Sequence, residues 1–130
     1  DTPISGGYPH MGAIGSAMTE SSGVFSFPST GIYLIKFYCM ASATSARRFF
    51  EANIHVTRDN FSTTQMFARG YNNGYDSNNT TYWTAVAEGF FDVKNSNHKV
   101  KFQYSAPNAV TVYGANYSQT YVLFMRLGDT

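Results

Sequence analysis

The sequence predicts an all-β fold, an antiparallel β-sandwich or jelly roll, and three observations carry that expectation. Eight or nine β-like runs recur at a spacing of roughly 8–12 residues, with turn residues between them. No stretch shows the apolar period of an amphipathic helix. Aromatic residues make up 17% of the chain, with ten Tyr and eleven Phe, against 13% charged residues. Phe and Tyr favour pleated, half-buried surfaces. With 130 residues, 43% of them hydrophobic, the chain is sized for one domain around one core.

The elements follow in order. Residues 1–17 are rich in Gly, Pro and Ser. They read as an extended lead-in, with a short strand possible only near Met11 to Met18, and the head domain is expected over 18–130. A short strand opens at Val24 and stops at Pro28, because proline fixes φ and removes a ladder donor. After the turn Pro28–Gly31, the longest strand runs to about Ala43. Tyr33, Ile35, Phe37, Cys39 and Ala41 share one of its faces, and Ile32, Leu34, Lys36, Tyr38 and Met40 the other. Both faces are largely apolar, which fits a strand covered on both sides.

Arg47–Arg58 alternates with Phe50, Ala52, Ile54 and Val56 inward, and Asp59-Asn60 turns the chain into a partner over Phe61–Ala68. Arg69–Thr81 reads as the longest loop, from its Gly and Asn turn chemistry. Tyr82–Val93 is a strand with Trp83, Ala85 and Ala87 on one side. Lys99–Tyr104, Ala109–Tyr113 and Thr120–Leu127 complete the set.

Composition and motifs exclude several functions. A net charge of +1 gives no reason to expect nucleic-acid binding. No apolar run is long enough for a helical membrane span. The chain opens on Asp1 without a signal peptide, which reads as a piece of a longer polypeptide. Cys39, the one cysteine, lies mid-strand and is expected to be a buried thiol. His10, His55 and His98 stand apart, with no metal-ligand spacing. The carboxylates are scattered, so no catalytic constellation is assembled and the protein is read as a non-enzyme without cofactor. Asp76–Asn79 carries oxygen ligands that calcium uses, but it lacks the glycine and distal glutamate of an EF-hand and reads as a solvated turn. The aromatic and amide groups Tyr71, Asn73, Tyr75, Asp76 and Asn78 form the candidate ligand set, because rings and amides stack on and hydrogen-bond to sugars. Trp83 beside them reads as a core residue.

The combination Phe25-x-Phe27-Pro28-x-x-Gly31-Ile32-Tyr33 resembles the signature of the tumour necrosis factor and complement globular-head (C-one-q) jelly roll. Ala109–Gly114 followed by Thr120–Gly128 resembles that family's last two strands. The wording of Met18–Gly31 and the Arg126-Leu127-Gly128 ending resemble the version found in phage tail-fibre and other structural proteins. The likeness spans about residues 18–128, and no loop matches a receptor-binding motif. The resemblance implies a homotrimer, with Tyr38, Met40, Phe49, Tyr121 and Phe124 as interface candidates. It also implies a head on a phage or virus fibre, at the virion surface or otherwise extracellular, binding a host surface glycan or protein. A purely structural trimerisation or decoration module and a carbohydrate-binding module are the alternatives.

Overall fold

A computed structural model describes residues 12, 14–45, 47–74, 79–114 and 118–130. Among them are nine strands and no helix: β1 (Thr19–Ser21), β2 (Val24–Ser26), β3 (Gly31–Ala43), β4 (Arg47–Thr57), β5 (Gln65–Gly74), β6 (Thr81–Val93), β7 (Lys99–Ser105), β8 (Thr111–Tyr113) and β9 (Tyr121–Gly128). They form two packed antiparallel sheets. One has the order β1-β2-β7-β4-β5. In the other, β3 pairs with β6 on one flank and with both β8 and β9 on the opposite flank.

Period-two alternation decides what is inside. Tyr33, Ile35, Phe37, Cys39 and Ala41 of β3 meet Phe50, Ala52, Ile54 and Val56 of β4 in one core, joined by Trp83, Ala85, Ala87 and Phe91 of β6. The small residues Ala85 and Ala87 leave room for large rings opposite. An aromatic cluster fills one part of the core: Phe27 lies 4.7 Å from Tyr33 and 5.9 Å from Phe91, and Phe102 lies 5.2 Å from Phe37. Each such pair contributes about 0.5–1.5 kcal/mol beyond its burial. The buried Tyr33 hydroxyl donates to the Ser29 carbonyl at 3.0 Å, tying the Pro28–Gly31 turn to the strand it introduces.

Two glycines are required by geometry. Gly31 has φ +141°, and a Cβ there would fall 2.5 Å from the Gly128 carbonyl oxygen. At Gly70 a Cβ would fall 1.7 Å from the Val86 carbonyl oxygen, so β5 crosses close over β6 only because no side chain stands between them.

The sequence expectation is corrected in two places. Thr19–Ser21 forms a hairpin with β2 that was not anticipated; its two-residue loop, Ser22-Gly23, has φ of 52° and 77°, the positive pair that suits a hairpin's twist. The segment read as loop from Arg69 is strand as far as Gly74, paired with β4 through Asn53↔Arg69 and Glu51↔Tyr71. Asn73 marks its outward face, and Gly70 and Asn72 the close crossing with β6, rather than a turn. In the lead-in, Gly12 and Ile14–Met18 carry no strand, and residues 1–11 lie outside the described set.

Candidate interface and ligand surfaces

The two sheets turn different outward faces to solvent. On the β6-β3-β9 face, strand register places side chains in rows. Phe90, Leu34 and Met125 make one row, and Val86, Tyr38 and Tyr121 another. Thr84, Met40 and Tyr113 extend the face toward β8. Phe90 is 66% exposed and Met125 48%, with Ile32, Val86 and Leu127 also exposed. Tyr38 and Tyr121 stack at 4.5 Å with rings 17° apart. The middle row is polar: the Lys36 ammonium meets the Glu88 carboxylate at 2.7 Å, beside Leu123. The Glu88 contact holds the Lys36 ammonium above its ordinary 10.5. Partial burial, followed by the neighbouring Tyr38, pushes the Tyr121 phenol up.

The interface candidates therefore divide. Tyr38, Met40 and Tyr121 share this apolar face. Phe124 does not: it pairs with Ile35 and points into the sandwich, 5.8 Å from Phe102. Residues 121 and 124 differ by an odd number, so one strand cannot present both on one side. Phe49 sits on β4, in the other sheet, next to the fully buried Phe50. Phe90, Val86, Leu123, Met125 and Leu127 were not named from the sequence. The alternation of β6 and β9 carries the signal that would have found them.

The outward face of the five-stranded sheet is polar. Tyr71, Glu51 and Ser105 form one row, and Arg69, Asn53 and Gln103 the next. Asn53 is only 4% exposed. It accepts from the Arg69 guanidinium at 2.9 Å and donates to Glu51 at 3.2 Å. Arg69 also donates to the Tyr71 hydroxyl at 2.9 Å. A buried amide held on both sides fixes this network, because an unpaired polar group in that position is costly. Burial, then the charges of Lys101 and Arg69, lower the His55 pKa.

Tyr71 and Asn73 of the proposed ligand set lie on β5, with Tyr71 60% exposed. Tyr75, Asp76 and Asn78 lie outside the described residues, and so does the calcium reading over residues 76–78, while Asn79 is exposed at the entry to β6. Trp83 is buried against Phe50 at 6.1 Å. The connections that leave β3, β5 and β7 depart from one end of the sandwich, since Ala43 pairs with Thr81, Ser42 with Thr111 and Arg47 with Gly74. That end carries two shallow concavities. One, about 520 Å3, is lined by Tyr104, Ser105, Ala106, Asn108, Ala109 and Val110. The other, about 200 Å3, adjoins it and includes Arg47 and Thr111.

Reactive chemistry is sparse among the described residues. No three His, Cys, Asp or Glu side chains converge on a metal-sized site. Cys39 is a buried free thiol, pushed up to about 11 by burial, so at neutral pH it is a protonated hydrophobe. A scan of the chain against protein-family models and a search of curated proteins both gave no match.

Proposed function

We propose that this domain is a non-enzymatic jelly-roll head that associates with copies of itself as a trimer and presents its loop end to a host surface molecule, in the manner of a phage or virus fibre head. The apolar outward face of β6-β3-β9 carries the proposal. Rows of Phe, Leu, Met, Val and Tyr flank the Lys36–Glu88 pair on both sides, more than the isolated apolar residues a monomer's surface normally shows, and exposed apolar patches rimmed by polar groups mark interaction sites. A second copy supplies a surface of the same chemistry. The jelly-roll reading is supported by the path of the chain, which changes sheet from β2 to β3, β3 to β4, β5 to β6, β6 to β7 and β7 to β8. The trimer, the viral setting and the virion-surface location rest on the resemblance of Phe25–Tyr33 and the last two strands.

Light scattering on a size-exclusion column tests the reading. The expected mass is three times the 14.4 kDa chain. A clean monomer at micromolar concentration overturns it. The purely structural alternative draws on the Arg69–Asn53–Glu51–Tyr71 network, whose polar groups satisfy one another on the outward face of the second sheet. A confirmed trimer that retains no glycan on a broad array favours that alternative.

A further inference from the structure

We propose that the concavity beside the β7–β8 connection binds a neutral pyranose sugar, with the Tyr104 ring as its stacking platform. The inference deepens the host-surface reading above by naming a place and a ligand class. It draws on residues outside the Tyr71–Asn78 set.

Size and lining come first. The concavity, about 520 Å3, falls within the range of roughly 300–1,000 Å3 typical of small-molecule sites. Its lining residues include Tyr104 and Asn108, which carry a phenol ring and an amide, together with Ala106, Ala109 and Val110. A pyranose has the matching chemistry: an apolar C–H face that packs on an aromatic ring, and a rim of hydroxyls that donate to and accept from amides and hydroxyls.

The platform is held in place before any ligand arrives. Tyr104 sits near the end of β7, its backbone paired with Ala52. Its ring lies 5.9 Å from that of Phe50, tilted by 32°, and Phe50 is fully buried. Yet Tyr104 remains 51% exposed. One side of the ring is thus fixed by the core while half its surface faces water. The wall opposite is fixed too, because Arg47 donates to the Ala109 carbonyl at 2.7 Å and ties the β7–β8 connection to β4. Rigid sites lose less freedom on binding.

Charge selects the neutral class. Among the described residues, no carboxylate, ammonium, guanidinium or imidazole lines the concavity. Arg47, the cation of the adjoining hollow, directs its guanidinium to the carbonyls of Ser45 and Ala109 and to the Ser45 hydroxyl. It is engaged in holding the loops together, so no cation on the lining is set to receive a sugar carboxylate.

Saturation-transfer NMR on the full chain tests the assignment with four probes: the methyl glycosides of glucose, galactose and N-acetylglucosamine, and free N-acetylneuraminic acid. Transfer to at least one neutral glycoside is expected, with none to the acidic sugar. Tyr104→Ala and Asn108→Ala each weaken it by about tenfold or more, while Lys94→Ala, an exposed residue of the β6–β7 turn, leaves it unchanged. Asn108 is exposed in a connection, so its variant keeps the test valid if Tyr104→Ala fails to fold. No transfer to any neutral glycoside overturns the proposal, as does binding that survives both substitutions or favours the acidic sugar. Solution mass is read in parallel. Sugar binding by a monomer would overturn the self-association reading and leave this one standing, and a trimer without sugar binding would do the reverse.

Discussion

The two outward faces of the sandwich are built on strands of similar length from one chain, yet they solve opposite problems. On the five-stranded sheet, Arg69, Asn53, Glu51 and Tyr71 bond to one another across β4 and β5, leaving a surface that water can cover without cost. On the β6-β3-β9 sheet, Phe90, Leu34, Met125, Val86 and Tyr121 have no such use for water. Apolar area left in water is worth about 25 cal/mol per Å2 when it is covered. The first face is finished as it stands, and the second gains by meeting another apolar surface.

The contrast can be broken most directly by placing a charge on one face at a time. Phe90→Glu should reduce the solution mass to that of a single chain. A desolvated carboxylate without a partner opposes association far more than a lost ring does. Urea unfolding of the resulting monomer should shift by no more than about 0.5 kcal/mol, since Phe90 lies outside the core. Gln103→Glu on the other face should leave the mass unchanged. Dissociation by both substitutions, or by neither, would remove the distinction between the faces.

A residue adjacent in sequence but opposite in direction calibrates the scale. Phe91→Ala should cost about 3–5 kcal/mol in urea unfolding, because Phe91 is buried among Phe27, Phe67 and His98. Neighbours 90 and 91 would then separate assembly from folding. A loss below about 1 kcal/mol would mean the core collapses around the gap.

The polar face is expected to respond less. Asn53→Ala should cost about 1–3 kcal/mol, the penalty for leaving Arg69 and Glu51 half-paired around a buried gap. An unchanged midpoint would show that water replaces the amide.

The smallest effect is a pH dependence confined to that same face. His55 has its folded pKa lowered below the ordinary 6.5, by burial first and then by Lys101 and Arg69. Above 6.5 it is neutral folded and unfolded and adds no slope. As pH falls from 6.5 through the folded value, the unfolded chain takes up the proton first and stability declines. Below the folded value the loss is complete and the slope vanishes. Across this window, as pH falls, the denaturation midpoint of the wild type should drop relative to that of His55→Gln, which has no imidazole to protonate. Parallel curves would show that His55 is not coupled to folding.

How much of this was legible in the sequence depends on which residues carried the signal. β3 was clear, because Pro28 marks its entry and both of its faces are apolar but for Lys36. The inward sets of β4 and β6 were clear for the same reason: Phe50 to Val56 and Trp83 to Ala87 alternate cleanly. β5 was hidden. Its outward residues are Arg, Tyr and Asn, and its glycines answer to a backbone crossing that lies sixteen residues away in sequence, at Val86. Such a contact leaves no local pattern. Phe124, an interface candidate by resemblance, faces the core, a direction that the parity of β9 carries once its register is known. The end concavity was not visible at all, since Tyr104 and Asn108 become a site only when a connection folds back and Arg47 pins it.

The crossing at Gly70 also bears on what kind of aggregate this chain forms. A terminal strand in a sheet offers a row of unpaired amides and carbonyls, a template on which foreign strands can add without limit. β5 and β6 end their respective sheets among the described residues. Because nothing separates them at Gly70, the two rims press against each other, and the Asn72 amide donates to the Thr84 carbonyl at 2.7 Å across the seam. β1, at the far rim of the five-stranded sheet, is only three residues long. Strand-by-strand growth is thus blocked along that seam and poorly templated at β1. Among the described residues the outer edge of β9, eight residues long, is the rim left for strand addition, and self-association of the proposed kind would have to cover it to favour a closed assembly over a fibril.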